Sequence, residues 1–287
     1  MFAPPNVELL ARPDGALLLR SRDPLLAYPP NTGSVLDRWA QERPDRILLA
    51  ERNGEAWRSI TYAQMRDAVR GVAAALVDRG LNRETPIALL SGASIAHAIV
   101  SLAAQYVGIP AAPISPPYSI LYGDLRRLRM VLDALAPKLV FADDADLYRD
   151  ALASIDASVP ILVAGGTGPR SDALRLDVLV STPVPACIDA IRDDVKPDDI
   201  AKVLFTSGST GEPKGVINTF RMLCSNQQML AQVWPHLCDD EVILNDWLPW
   251  HHTFGGNHNF NMVLFHGGTL YIDDGRPLPG RFERSLQ

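Results

Sequence analysis

Between residues 85 and 123 the chain carries no formally charged side chain. A stretch of that kind belongs either in a membrane or inside a protein core. Pro86, Gly108, Pro110, Pro113, Pro116 and Pro117 interrupt it. Its helical part, residues 94–107, falls short of the ~20 continuous residues that a spanning helix needs. The stretch therefore reads as a buried helix, with a buried strand at 86–91 before it and another at 110–114 after it. Strands apolar on every position occur where helices cover both faces of a mostly parallel sheet.

The same alternation continues on either side. Ser34 is placed as the N-cap of a first helix, and strands at 47–51 and 59–62 flank the Asn53-Gly54 turn, a strong hairpin signal. Residues 63–79 carry Met65, Val69, Val72, Leu76 and Val77 at helical spacing and stop at Gly80. A helix with a basic face (Arg126, Arg127, Arg129) is predicted over 124–135, a strand over 138–142, a helix over 145–155 and a strand over 160–164. The predicted class is α/β, with mostly parallel sheets flanked by helices. Three parts are expected: an extended proline-rich segment over 1–33, a first α/β subdomain over 34–197, and the start of a second over 198–287. Gly165, Gly166 and Gly168 lack the third glycine and the following helix of a dinucleotide fingerprint, so they read as a loop.

Composition narrows the function classes. Lysine plus arginine number 27 against 33 acidic residues, a net charge of −6, which speaks against a broad nucleic-acid-binding surface. Three cysteines, Cys187, Cys224 and Cys238, form neither a disulfide framework nor a CxxC pair. The first residues show no basic and then apolar leader. A cytoplasmic location without membrane attachment is expected.

The sharpest chemistry lies at Thr206-Ser-Gly-Ser-Thr-Gly-Glu-Pro-Lys-Gly215, which follows an apolar strand. Thr206, Ser207, Ser209 and Thr210 can donate to phosphate oxygens. Gly208 and Gly211 let backbone N–H groups approach an anion with no Cβ in the way. Lys214 adds a mobile positive charge suited to a polyphosphate. A Walker loop is ruled out, because Pro213 precedes the lysine and Gly215 follows it where Ser or Thr should stand.

That ten-residue run resembles the signature phosphate loop of the adenylate-forming enzymes, the superfamily of acyl-CoA synthetases, luciferases and peptide-synthetase adenylation domains. The resemblance implies that Thr206, Ser207, Gly208, Ser209, Thr210, Gly211 and Lys214 bind the β- and γ-phosphates of ATP. Downstream, Pro249, His252 and Gly255 fall on the fixed positions of the family's Pro-x-x-His-x-x-Gly pattern. By that likeness His252 lines the acyl pocket, with Trp250 and Phe254 beside it, and His252 and Lys214 are the catalytic residues. His251, His252, His258 and His266 do not have the spacing of a zinc site, and no metal ligand is assigned in this chain.

A narrower likeness is to the feruloyl-CoA synthetase branch, carried by residues 245–260 and by Ser115-Pro-Pro-Tyr-Ser119. Trp247, Trp250, Phe254 and Phe260 beside Asn257, His258 and Asn259 suit a flat aromatic acid with polar substituents. The resemblance implies a two-step reaction that uses ATP, Mg2+ and coenzyme A, and a small-molecule aromatic or acyl carboxylate. The carboxylate first becomes an acyl-adenylate; a thiol then displaces AMP. It also implies adenine- and ribose-binding stretches and a small C-terminal domain that this sequence does not carry. The expectation is thus the N-terminal large-domain part of the adenylate-forming fold, truncated before the small domain, with little turnover unless the missing portion is supplied. The alternatives are a non-catalytic truncated nucleotide-binding remnant, or a ligase that transfers to a carrier protein. An in-frame continuation past codon 287 carrying the missing motifs would dispose of the remnant.

Overall fold

The computed structural model describes residues 2–120, 124–206, 212–273 and 283. Its strands are β1 (Val7–Ala11), β2 (Leu17–Ser21), β3 (Ile47–Asn53), β4 (Ala56–Thr61), β5 (Ile87–Leu90), β6 (Ala111–Ile114), β7 (Leu139–Asp144), β8 (Ile161–Gly165), β9 (Leu174–Arg175), β10 (Ile200–Thr206), β11 (Lys214–Thr219), β12 (Ile243–Asp246) and β13 (Thr269–Ile272). A seven-stranded sheet runs in the order β11-β10-β6-β5-β7-β8-β9, parallel throughout except for the β10–β11 hairpin. A four-stranded sheet runs β12-β13-β3-β4, with only the β3–β4 pair antiparallel. The expected α/β class with mostly parallel sheets is what the chain adopts.

The uncharged stretch explains itself in this arrangement. Helix Ile95–Tyr106 packs between the two sheets, touching β3 on one side and β5, β6 and β7 on the other. All twelve of its residues are buried, so no position on it can carry an unpaired charge without a large desolvation cost. The strands beside it alternate as a pleat requires. Ile87 and Leu89 join one hydrophobic cluster while Ala88 and Leu90 join the other. The opposite face of the large sheet is closed by Leu128, Val131 and Leu135 of helix Arg126–Leu135.

Several expectations shift at their ends. The cap of helix Thr32–Glu42 is Asn31, whose Oδ1 accepts from the Ser34 N–H at 2.9 Å; the Ser34 hydroxyl instead donates to the Asn31 carbonyl. The helix expected over 145–155 is cut to Arg149–Ala153. Its first turn is lost because the Asp144 carboxylate accepts the N–H groups of Asp146 and Leu147. Within 1–33 the chain forms the β1–β2 hairpin, turned at Asp14-Gly15 with Gly15 at φ +81°. At Gly165–168 the amides of Thr167 and Gly168 point at the Asp146 carboxylate, so an internal anion fills that glycine loop.

The division expected at 197/198 does not separate the sheets. β10 and β11 extend the large sheet from β6, and β12 and β13 extend the small one from β3. Strands from both sides of that position therefore share both sheets. The intervening segment is pinned by helix Ile188–Asp193: Arg192 bonds Asp37, and Asp189 accepts from Arg70 at 2.6 Å.

Candidate functional site

β10 and β6 run parallel, so the carboxyl end of β10 lies at the same sheet edge as the carboxyl ends of β5, β6 and β7. That edge is where open α/β sheets take up ligands. Thr206 is the last residue of β10 and pairs with Lys214, the first of β11. Both are exposed there. Ser207, Gly208, Ser209, Thr210 and Gly211 lie outside the described residues. Directly behind Lys214, a Cβ on Gly215 would sit 3.1 Å from a Val203 methyl, so the hairpin is closely packed at its root.

The second motif folds back on itself. At the end of β12, Asp246 is buried and holds the turn from both carboxylate oxygens: one accepts the Leu248 N–H at 2.8 Å, the other the Asn259 side-chain amide at 2.9 Å. Residues Phe254–Asn259 form a single π-helical stretch that continues into helix Phe260–His266. Local π-helix costs backbone hydrogen-bond geometry and is frequently found at functional sites. Gly255 and Gly256 permit it, because segment 248–250 crosses directly over their backbone. His252 is exposed at the start of this turn; its N–H reaches the Pro249 carbonyl at 3.2 Å, and its own carbonyl accepts the Gly256 N–H at 2.9 Å.

The aromatic residues divide. Phe254 is 59% exposed, with its ring edge-on to His258 at 5.1 Å. Trp250 is 5% exposed and belongs to the core, its ring 4.8 Å from Phe260 and edge-on to His97 at 5.3 Å. The His251 and His252 rings lie 4.3 Å apart, and burial, reinforced by His252, lowers the His251 imidazole to about 4.

Three side chains that the motifs did not single out join the two segments. Lys202 of β10 is 4% exposed, and its ammonium donates to the Gly256 carbonyl at 2.8 Å and to Asn257 Oδ1 at 3.4 Å. Asn218 of β11, the cross-strand partner of Lys202, accepts from Asn257 Nδ2 at 2.9 Å. Gln227, on helix Phe220–Val233, donates to the Asn257 carbonyl at 3.1 Å. The β10–β11 hairpin and the His252 segment are thus parts of one hydrogen-bonded unit. The sequence signal was a lysine inside an otherwise apolar strand.

His97 stands behind Trp250 in the core, with Nδ1 2.6 Å from the Ser91 hydroxyl. Burial, and then the Lys202 charge, lowers its imidazole to about 3. Its folded value lies below the unfolded one near 6.5, so the neutral ring contributes stability above pH 6.5 that is lost as pH falls toward 3. His251 and His266, each at about 4, act in the same direction. Urea unfolding at a series of pH values is expected to show stability falling below pH 6.5, with a shallower fall in His97→Asn. Equal slopes for parent and variant would refute the neutral, buried imidazole. Among the described residues no group of three or more His, Cys, Asp or Glu is placed to hold a metal ion. No helix among them is long and apolar enough to cross a membrane.

Comparison with known proteins finds a family model described as AMP-binding enzyme over residues 36–286. A propanoyl:CoA ligase of Rhodococcus jostii (strain RHA1), whose acyl group carries a methyl-dioxo-octahydroindenyl ring system, is 29% identical over 254 residues; the match covers 84% of this chain and 47% of that protein. The medium-chain-fatty-acid–[acyl-carrier-protein] ligase TtuA of Teredinibacter turnerae (strain ATCC 39867 / T7901) is 42% identical over 82 residues, 29% of this chain and 12% of TtuA. Among solved structures, ATP-bound MatB from Rhodopseudomonas palustris superposes with a TM-score of 0.63 at 25% identity, covering 84% of this chain and 45% of that one. The chain spans about half the length of the Rhodococcus ligase and less of TtuA.

Proposed function

The chain belongs to the AMP-binding enzyme family, and from that premise we propose that its phosphate hairpin and His252 segment serve to activate a carboxylic acid with ATP and pass the acyl group to a thiol. The observation that carries this reading is the Thr206–Lys214 rung at the carboxyl edge of the large sheet, hydrogen-bonded through Lys202 and Asn218 to the segment that bears His252. One substrate-handling element alone would fit many folds. Two on a single rigid support fit a reaction that brings a polyphosphate and a carboxylate together.

In the first step a carboxylate oxygen attacks the α-phosphorus of ATP and the bond to pyrophosphate breaks. Charge spreads over the phosphoryl oxygens at that moment, so positioned donors and cations supply most of the stabilisation. Lys214 and the hydroxyls of Thr206, Ser207, Ser209 and Thr210 are assigned to the departing pyrophosphate, with Gly208 and Gly211 leaving backbone N–H groups open to it. His252 and Phe254 border the carboxylate, and Trp250 backs them from the core. In the second step a thiolate attacks the acyl carbonyl and AMP leaves. Mg2+ accompanies ATP and coenzyme A is the acceptor in this reading.

The acid is proposed to be aromatic, of the hydroxycinnamate kind. Trp247 and Phe254 are exposed, and the Phe254 ring stands edge-on to the half-buried His258, aromatic surface able to stack on a flat ring. A second reading, transfer to a carrier-protein thiol, is favoured by the segment 42% identical to a carrier-protein ligase. The test uses the longest in-frame product that carries this chain. Pyrophosphate release is compared for ferulate and a medium-chain fatty acid, and thioester formation for coenzyme A and an acyl carrier protein. Ferulate with coenzyme A is the expected pair. Preference for the fatty acid overturns the aromatic assignment, and thioester formed on the carrier protein alone moves the reading to the second acceptor.

A further inference from the structure

Lys202 is a buried ammonium with neutral partners, the Gly256 carbonyl and the Asn257 amide oxygen. Its Nζ also lies 5.8 Å from the Phe260 ring, whose other neighbour is Trp250. Burial lowers its pKa to about 8. Among the described residues no carboxylate is paired with it. Taking a cation out of water costs more than such neutral hydrogen bonds return, so fold stability alone does not account for this side chain. An apolar residue of similar length in β10 would fill the same space at less cost.

The arrangement around it has a definite direction. Lys202 and Asn218 form one rung of the β10–β11 hairpin and both grip the Asn257 side chain, one at its oxygen and the other at its nitrogen. Gln227 holds the Asn257 carbonyl from a third element. Four residues further along β10 the same hairpin ends in the Thr206–Lys214 rung, about 13 Å away at the rise of an extended strand. The same Gly256 whose carbonyl Lys202 holds donates its N–H to the His252 carbonyl. A continuous path of hydrogen bonds therefore runs from the phosphate hairpin to the His252 turn, with Lys202 as its charged link.

We propose that Lys202 is a positioning residue that fastens the π-helical stretch Phe254–Asn259 to the phosphate hairpin and so sets the acyl side of the site against its phosphate side, a role that rests on the reading of the two segments given above. It touches neither substrate. By holding Gly256 and Asn257 it fixes where His252 and Phe254 stand relative to Thr206 and Lys214. The substrate property it governs is the fit of the carboxylic acid, not the grip on ATP.

Lys202→Met tests this, since methionine keeps the length of the stem, removes the ammonium and is not expected to unfold the chain. Two measurements are read together. Amide hydrogen–deuterium exchange, followed on the chain without ligand, is expected to quicken by about tenfold or more across residues 254–260, while β5 and helix Tyr62–Asp78 keep the parent rate. In acid-dependent ATP–pyrophosphate exchange on the longest in-frame product, the KM for the acid is expected to rise about tenfold, the loss of one charged hydrogen bond, with the KM for ATP changed by less than about twofold. Asn218→Ser leaves the ammonium in place and is expected to change both readouts in the same direction by a smaller factor. Unchanged protection at 254–260 in both variants overturns the role of Lys202, whatever the chain catalyses. So does a parallel rise in both KM values with loss of protection throughout, the mark of a residue that only stabilises. A parent that exchanges no pyrophosphate, combined with loosening confined to 254–260 in Lys202→Met, sinks the proposed activity and leaves the fastening supported.

Discussion

Replacing Lys214 by alanine is expected to lower kcat/KM for ATP by about 100-fold in pyrophosphate exchange, the upper end of what a hydrogen bond to a charged group supplies. The fold should not register the change. Lys214 is exposed, and its pairing with Thr206 is made by backbone groups that alanine retains. Surface changes of that kind stay within ~0.5 kcal/mol in stability, so the urea midpoint of the variant should match the parent. Lys214→Arg separates charge from shape. Arginine restores the positive charge but offers a planar fork where lysine offers a compact point, so partial recovery is expected. Exchange at the parental rate in Lys214→Ala would remove the phosphate role from the hairpin, and with it the main support for an adenylating function.

What was legible in the sequence was local. The Asn53-Gly54 turn requires positive φ, and Gly54 adopts +64° between β3 and β4. The run of uncharged residues over 85–123 announced a helix with no solvent-facing side, as helix Ile95–Tyr106 between two sheets turned out to be. Strand order was not legible, because nothing in residues 200–206 or 269–272 records that their neighbours will be β6 and β3. That is why a division at 197/198 looked reasonable from composition, although strands from both sides of it share both sheets. Charge in an unexpected place was the other missed signal. Lys202 interrupts an apolar strand, but its partners Gly256 and Asn257 are supplied by the chain more than fifty positions later. The Asp14-Gly15 hairpin was hidden differently, by neighbouring prolines that pointed to an extended segment. For the candidate site, sequence named the two motifs, and folding added the side chains that join them.

The joining also fixes how little room the second motif has. A Cβ on Gly256 would stand 2.3 Å from the Trp250 carbonyl oxygen and 3.0 Å from its carbonyl carbon. Both obstacles are backbone atoms, so no rotamer change relieves them. Gly256→Ala must therefore either push the π-helical stretch away from segment 248–252 or lift that segment. The first course breaks the bond from Lys202 to the Gly256 carbonyl and leaves a buried ammonium short of an acceptor. The second draws Trp250 off Phe260 and His97, opening a gap in the core. Each course combines overpacking with a lost buried contact, and a loss of at least ~3 kcal/mol is expected in urea unfolding followed by tryptophan fluorescence. Gly92→Ala is the matched control, because a Cβ there meets nothing within 4 Å and the backbone is not in the left-handed region; it should stay within ~0.5 kcal/mol of the parent. A Gly256→Ala protein as stable as that control would show that segment 248–252 does not cross the π-helical stretch at this distance. The link between the His252 turn and the β10–β11 hairpin would then have to be redrawn, because the path from Lys202 to His252 passes through the Gly256 backbone.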